Sequence, residues 1–412
     1  MIDRDPDARN EGAGDALGGH WRRRRSLEVL SQAVEKLCRL GPSPPPVTPV
    51  WVVNCYDDRR YVLRILDLAP RYGIDKVCLT EEGLHGSDPA ALLADLLELS
   101  RPRGLRLSLL AADPQRGREF AEHIEIIPIR SIRLFDAVGM KFGQGSLPYV
   151  SVDDLDPCLA ELRARNAREL FVQIDSPAQP CLDAPCWITV SAASVLALGP
   201  PAAAQDALDW CLQVCFPQAA DVVKQAFAEA RTALEKAFKV LGTVWLLDDS
   251  HWPTDLKFYE RQLPPDPSKA EGTANLLARP TGDTLARIDH EKIDALESAY
   301  AALTGLEQAR DLLAAEEFLW LEHYFQRLKA VCRVLRQWAR ASFTLLAARE
   351  GSLQITRAGL LGRLKDLRAA VEDQRTIVSS MPSGRLPANY LRVRRFLQEY
   401  EAAIDELFPP GE

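Results

Sequence analysis

Short apolar runs alternate with longer amphipathic segments between residues 51 and 175, and this alternation is the clearest pattern in the chain. Helical segments with apolar positions three and four apart separate the short runs. Strands joined by helical crossovers of this length form a parallel sheet. The pattern therefore predicts a closed barrel or a doubly wound sheet, with strands at 51–55, 77–80, 105–110, 137–142 and 170–174.

A purely helical pattern follows after about residue 200. Two helices are predicted between 203 and 243, and three or four long ones run to Leu407. In the longest, apolar residues recur every three and four positions from Phe318 to Ala339, which is typical of a helix that packs on a partner helix. That partner is most simply in the same chain, and a homodimer through these helices is the alternative.

The predicted fold class is α/β plus all-α, a partial or closed (β/α) TIM-like barrel followed by a C-terminal helical bundle. Proline-rich and polar stretches mark the expected domain boundaries, because such segments seldom continue a helix or strand. The expected units are a disordered tail, amphipathic helix and Pro-rich linker at 1–45, the barrel-like domain at 46–200, post-barrel helices at 201–262, a connector at 263–285 and a C-terminal helical domain at 286–412.

Composition narrows the function classes. The 412 residues are 47% hydrophobic, which is enough for two or three folded units. A net charge of -8 argues against a nucleic-acid coat, because neutralising phosphates needs a surplus of Lys and Arg. No apolar stretch reaches the roughly 18 residues of a membrane span. Nine cysteines without a CxxC pair indicate reduced thiols, so we expect a cytoplasmic protein.

Acidic and polar residues follow the predicted strands, and the carboxyl ends of strands carry the chemistry of both architectures. Converging carboxylates suit glycosidic cleavage, where one protonates the leaving oxygen and another activates water or attacks the sugar. The alternative is that these residues cap helices or lie in solvated turns. The positions concerned are Asp57, Asp58, Glu81, Glu82, His85, Asp113, Gln144 and Asp175.

Neither a cofactor nor a metal is expected. Gly139, Gly143 and Gly145 lack the spacing of a dinucleotide fingerprint. Glu82 and His85 stand apart from further histidines, so they do not form a recognisable metal-ligand set.

Four stretches carry a family resemblance. Asn-Cys-Tyr-Asp-Asp-Arg-Arg-Tyr at 54–61 and the helix end at 72–77 resemble the opening of the catalytic barrel in bacterial α-glucuronidases. The stretch 138–149 is similar to the strand-four segment that carries the general-acid Glu in that family, and 187–247 looks like its post-barrel helices. The resemblance implies a TIM-barrel glycoside hydrolase with a C-terminal helical domain.

Two departures from the family change the functional expectation. Gln144 stands at the position of the acid, and a carboxamide has no proton to give a leaving alkoxide. An eight-stranded barrel needs roughly 200 residues or more, whereas 51–195 is shorter, so the barrel is expected to be truncated and closed by a strand at 188–190 or by helices.

The resemblance and its departures together predict a divergent glycoside-hydrolase-like protein that binds a saccharide, including one bearing uronic acid, with weak or no hydrolysis. The expected substrate-binding residues are Tyr56, Asp57, His85, Lys141 and Gln144. An active glycosidase is the first alternative, and its relocated carboxylates would be Asp175, Glu81 and Glu82. A non-catalytic scaffold or interaction protein is the second alternative.

Overall fold

The apolar runs of the first half form one parallel sheet. The computed structural model describes residues 24–40, 47–54, 59–81, 89–112, 124–142, 147–175, 182, 184–199, 203–242, 244–245, 273–380 and 390–409. Within these residues the sheet contains six strands: β1 (Thr48–Val53), β2 (Lys76–Thr80), β3 (Arg106–Ala111), β4 (Glu125–Pro128), β5 (Leu134–Asp136) and β6 (Glu169–Gln173).

Helices occupy most of the remaining described chain. The first half contains α1 (Arg25–Leu40), α2 (Arg59–Leu68), α3 (Pro89–Ser100), α4 (Leu155–Ala164) and α5 (Trp187–Ala197). The second half contains α6 (Ala204–Cys215), α7 (Ala220–Phe238), the small antiparallel pair β7 (Lys239–Val240) and β8 (Val244–Trp245), α8 (Thr273–Ala278), α9 (Gly282–Gln308), α10 (Ala315–Arg349), α11 (Arg357–Ser380) and α12 (Tyr390–Leu407).

The strand order identifies the sheet as a partial barrel. The order is β4-β3-β2-β1-β6-β5 and every pairing is parallel. This is the chain order written around a ring, with β6 paired to β1 and no pairing between β4 and β5 in the described residues. Because every helical crossover steps in the same direction, right-handed connections put α2, α3 and α4 on one face. A doubly wound sheet would place helices on both faces.

An ion cluster shows that the sheet is curled. The Lys76 ammonium on β2 lies 3.0 Å from Glu125 Oε2 on β4 and 3.2 Å from Glu169 Oε1 on β6. In a flat sheet, β4 and β6 would be about 19 Å apart, because they are four strand spacings from each other. Glu125 on β4 and Glu169 on β6 both contact the same ammonium group, and their two side chains are too short to meet across that distance. The strands therefore bend around Lys76 into a half-barrel.

Side chains alternate between the two faces of the half-barrel, as the pleat requires. Trp51 points to the convex face, where its ring lies 5.2 Å from the Tyr72 ring and 5.4 Å from the Trp187 ring, measured between centroids. These aromatic rings join the strands to α5 in the main core. The concave face has a separate apolar cluster, formed by Val50, Val52, Cys78, Leu110, Ile127 and Phe171.

The second half is a set of long helices that pack in chain order, α9 on α7, α10 on α9 and α11 on α10. The apolar stripe from Phe318 to Ala339 is buried within this chain, as its simplest interpretation predicted. Glu317 on α10 also caps α1, since it accepts hydrogen bonds from Ser26 N at 3.0 Å and Ser26 Oγ at 2.8 Å. The first helix is thus fixed to the helical half.

Local structure differs from the sequence prediction most clearly at three places, and β1 also begins three residues earlier than predicted. The predicted strand at 137–142 is a turn that ends in the 3₁₀ helix Met140–Phe142, and the strand lies just before it, at Leu134–Asp136. The strand Glu125–Pro128 was not predicted. Residues 188–190 belong to α5 and not to a strand, so the predicted closing strand is wrong. α5 packs on the convex side of β1 and β6, which are already paired with each other.

Candidate functional site

A polar cluster lies at the carboxyl edge of the half-barrel, where β1, β2 and β6 end. Thr80 Oγ1 donates to Asn54 Oδ1 at 2.7 Å, and Asn54 Nδ2 donates to Asp175 Oδ1 at 3.0 Å. Gln173 Nε2 donates to the main-chain oxygen of Asp175 at 3.1 Å. We call Asn54, Thr80, Gln173 and Asp175 the carboxyl-edge cluster. It links three strands by hydrogen bonds between side chains.

Asp175 is the central residue of this cluster. It is 0% exposed, and its Oδ1 also accepts a hydrogen bond from Asn54 N at 2.7 Å. A buried carboxylate is stable only where donors replace the lost water, and Asn54 supplies two of them to the same oxygen. The carboxylate therefore ties β6 to β1, the pairing that makes the strand order circular.

Glu81 lies at the same edge, directly after β2. Its side chain is half-buried, and Oε2 accepts a hydrogen bond from the main-chain nitrogen of Ala112 at 3.2 Å. That bond joins the ends of β2 and β3. The structure thus places the predicted catalytic residues Glu81 and Asp175 on one edge, with each carboxylate accepting from amide groups.

A tight turn follows β5 on this edge. The Asp136 carboxylate accepts hydrogen bonds from Val138 N at 3.2 Å and Met140 N at 2.9 Å, which bends the chain at once after the strand. Gly139 has φ +63°, and the Tyr149 ring lies so close that an added Cβ would be 2.5 Å from Tyr149 Cγ. Only glycine suits this conformation and this contact.

Tyr149 holds the turn from its other side. Its ring stacks on Phe142 at 5.7 Å between centroids, and Phe142 meets Phe238 of α7 at 5.8 Å. Burial and, to a smaller extent, the nearby Asp136 carboxylate raise the pKa of Tyr149 to about 12. The phenol is therefore protonated at neutral pH. It acts as a neutral support for the backbone around position 141.

The helical half reaches the same edge. Tyr324 of α10 packs with Val138 and Met140 of the turn after β5, and with Ala184 and Cys186 of the segment after β6. Because Tyr324 packs here, the loops that follow β5 and β6 lie against the helical half.

Most of the other predicted site residues lie outside the described residues. The backbone of Lys141 lies in the 3₁₀ helix after the β5 turn. The residues that lie outside the described part of the chain are Tyr56, Asp57, Asp58, Glu82, His85, Asp113 and Gln144.

The described thiols and acidic groups do not form a metal site. Within the described residues, no group of three or more His, Cys, Asp or Glu side chains could hold a metal ion. The described cysteines are free thiols. Burial raises the pKa of Cys78 to about 11 and of Cys332 to about 12, so both remain protonated and behave as small apolar side chains.

The opposite, amino edge of the half-barrel contains the ion cluster of Lys76, Glu125 and Glu169. Burial alone would lower the pKa of Lys76, but the carboxylates of Glu125 and Glu169 outweigh it and raise the pKa above its ordinary value. Sequence analysis missed this cluster. The sequence feature that could have indicated it is a charged residue at the first position of β2, β4 and β6, next to otherwise apolar residues.

A cleft of about 340 Å³ opens beside that ion cluster. It lies between β4, the connection from β4 to β5, the start of β6 and the end of α4. We call it the seam cleft, and its lining includes Glu125, Ile127, Arg133, Glu161, Arg165, Arg168, Glu169 and Phe171. The seam cleft and the carboxyl-edge cluster are at opposite ends of the strands. Within the described residues, no helix is both long enough and apolar enough to cross a membrane.

Comparison with known proteins gives a structural likeness but no family. No family model and no curated protein matches the chain. Among the solved structures, one described as a "GH138 enzyme targeting pectin rhamnogalacturonan II" is similar to 92% of this chain, with a TM-score of 0.41 and 10% sequence identity. This chain corresponds to 52% of that protein, so it spans about half of its length.

Proposed function

We propose that this chain is a divergent glycoside-hydrolase-like protein that binds a saccharide at the carboxyl edge of its half-barrel and hydrolyses it weakly or not at all. The resemblance to α-glucuronidases suggests a saccharide that bears uronic acid. The fold supports a site at this edge, because parallel (β/α) architectures bind their ligands where the strands end.

The observation that carries the proposal is the engagement of Asp175. Its carboxylate is fully buried, and one oxygen already accepts two hydrogen bonds from Asn54. A glycosidase needs two carboxyl groups on either side of the scissile bond, one of them free to exchange a proton. Asp175 instead links the ends of β1 and β6, which supports weak or absent hydrolysis.

The ligand-binding roles in this proposal follow the sequence. Tyr56, Asp57, His85 and Gln144 supply hydrogen bonds and stacking, and the Lys141 ammonium pairs with the uronate carboxylate. With Gln144 in place of the general acid, the expected loss in rate is on the order of a hundredfold to ten-thousandfold.

A scaffold function is the second candidate, because the concave face carries an apolar cluster. Val50, Val52 and Leu110 are each no more than 3% exposed, so the described part of the half-barrel has a packed interior. A protein whose barrel only supports the helical half would need no ligand at the carboxyl edge.

Enzyme assays on the full chain test the proposal. Purified protein is incubated with aldobiouronic acids and aryl glycosides, and binding is measured in parallel. We expect saturable binding and a turnover at least a hundredfold below the 1 to 10³ s⁻¹ typical of enzymes, both figures being orders of magnitude. Turnover in the typical range would support the relocated carboxylates Asp175, Glu81 and Glu82. Absence of binding to every saccharide would support the scaffold.

Two amide-to-acid variants refine the assay. Gln144→Glu restores an ionisable group at the position of the acid, and we expect it to raise turnover. Gln308→Glu, at an exposed position at the end of α9, is the matched control with the same change in charge. An equal change in both variants would refute a role for position 144.

A further inference from the structure

The open seam between β4 and β5 leaves part of β6 uncovered. The connection at 129–133 contains a single 3₁₀ turn, Ile129–Ser131, and no helix. β5 begins to pair with β6 only at Phe171, so the Glu169 end of β6 has no strand beside it on that side within the described residues. The seam cleft occupies this space, and its volume of about 340 Å³ lies at the lower end of the range for small-molecule sites.

One wall of the seam cleft is positively charged. Arg133 Nε lies 3.4 Å from Glu161 Oε2, and Arg165 Nη2 lies 2.5 Å from Glu161 Oε1. Two guanidinium groups therefore share one carboxylate. Arg168 is exposed on the same wall, and the described residues offer it no ion pair. This wall has more positive than negative charge.

The facing wall has the opposite imbalance. Glu125 and Glu169 share the single ammonium group of Lys76, at 3.0 Å and 3.2 Å. Their side chains remain 61% and 36% exposed, whereas that of Lys76 is 4% exposed. The carboxylates can therefore accept further hydrogen bonds from the cleft side, while the lysine cannot be reached from it.

We propose that the seam cleft binds a small zwitterion, with its oxyanion on the arginine wall and its ammonium group on the glutamate wall. Guanidinium groups bind carboxylates in forked geometry, and an ammonium group donates readily to carboxylates. A simple anion would be repelled by the glutamate wall, and a simple cation by the arginine wall. Only a ligand with both charges complements both walls.

Three probes of equal carbon chain length separate these possibilities. The full-length protein, labelled with ¹⁵N, is titrated by NMR with 4-aminobutyrate, butyrate and butylamine. We expect 4-aminobutyrate to shift resonances of residues around the seam cleft with a Kd on the order of 1 mM, and the other two to bind at least about fivefold more weakly. Equal binding of all three, or binding of none, would overturn the proposal.

A pair of arginine variants locates the effect. Arg168→Ala removes a charge from the cleft wall, and we expect about tenfold weaker binding of 4-aminobutyrate. Arg130→Ala removes an exposed charge from the neighbouring turn, outside the cleft lining, and should leave the affinity unchanged. An unchanged affinity in Arg168→Ala, with resonance dispersion intact, would contradict the assignment. The result is independent of saccharide binding, because the two sites lie at opposite ends of the strands.

Discussion

The two ends of the half-barrel each contain a buried charged side chain, but they stabilise it in different ways. At the carboxyl edge, one oxygen of Asp175 accepts hydrogen bonds from the main-chain and side-chain amides of Asn54. At the amino edge, the charge of Lys76 is met by the carboxylates of Glu125 and Glu169, which remain partly in water.

This difference determines what each edge can do. A network of neutral donors around a buried carboxylate is specific in geometry, insensitive to salt and costly to break. Ion pairs at a partly exposed surface contribute less, are screened by salt and can exchange partners with a ligand. The Asn54–Asp175 contact is therefore a rigid part of the carboxyl edge, whereas the ion cluster at the amino edge can exchange partners with a charged ligand.

Removal of the central carboxylate should have the largest effect on stability. Asp175→Ala leaves the amide donors of Asn54 buried without their acceptor, and we expect a loss of about 3 kcal/mol in the free energy of unfolding. The control is Asp75→Ala, which breaks an ion pair with Arg106 in which both side chains are more than half exposed. Its expected cost is below about 1 kcal/mol. Equal losses in urea denaturation would contradict the contrast.

A buried lysine of the helical half sharpens the comparison. Lys292 is 0% exposed and donates to the main-chain oxygens of Lys236 and Lys239 and, at 3.0 Å, to Glu291 Oε1. Burial outweighs the Glu291 charge and lowers the pKa of Lys292 to about 8. Its ammonium group is thus held mainly by neutral carbonyl groups.

The pH dependence of stability follows from that shift. Between pH 8 and an unfolded pKa of about 10.4, the unfolded chain binds a proton at position 292 that the folded chain does not, so stability rises with pH. Relative to Lys292→Met, we expect the native chain to gain about 2 kcal/mol over this range. Chemical denaturation at several pH values measures it, and a flat difference would show that the lysine is solvated.

The turn after β5 tests the geometric specificity of the carboxyl edge. Gly139→Ala adds a Cβ in a positive-φ conformation and in collision with Tyr149, and we expect a cost of about 2 kcal/mol. Gly104→Ala is the matched control, because Gly104 has φ +68° with nothing within 4 Å of the added Cβ. Thermal unfolding should show a loss of about 1 kcal/mol for the control. Similar losses in both variants would mean that the Tyr149 contact is unimportant.

The smallest effect is expected at the ion cluster. Lys76→Met should cost about 1 kcal/mol, less at high salt, because both carboxylates are partly solvated. The raised pKa of Lys76 means that its stabilisation is complete below the unfolded pKa of about 10.4 and is lost as the pH rises through the folded value. The contribution of Lys76 to stability therefore falls as the pH rises, whereas that of Lys292 increases. Chemical denaturation of the native chain and both lysine variants from pH 7 to 11 measures this. The difference in stability between the native chain and each variant should change with pH in opposite directions for the two lysines.

Sequence patterns predicted the strands that are buried on both faces. The runs at 77–80 and 105–110 lie within one residue of β2 and β3, because short, mostly apolar runs between helical segments favour buried strands. β4 escaped prediction because it is a short edge strand that ends at Pro128, without a helical crossover after it.

Tertiary context explains the remaining differences. Residues 137–142 are mostly apolar and favour a strand, but the Asp136 carboxylate and Gly139 turn the chain there. Ile188, Thr189 and Val190 favour a strand by propensity, yet they form part of a helix whose residues are all buried. At the site, the sequence identified Asp175 and Glu81 at strand ends. The Asn54 partnership of Asp175 depends on the β1–β6 pairing, which no local pattern encodes.

Titration of the native chain with an aldobiouronic acid, followed by product analysis of the same sample, tests the central proposal most directly. Saccharide binding without efficient hydrolysis predicts a saturable isotherm together with turnover below about 0.01 s⁻¹. Turnover of about 1 s⁻¹ or more, or no binding to any such saccharide, would contradict it.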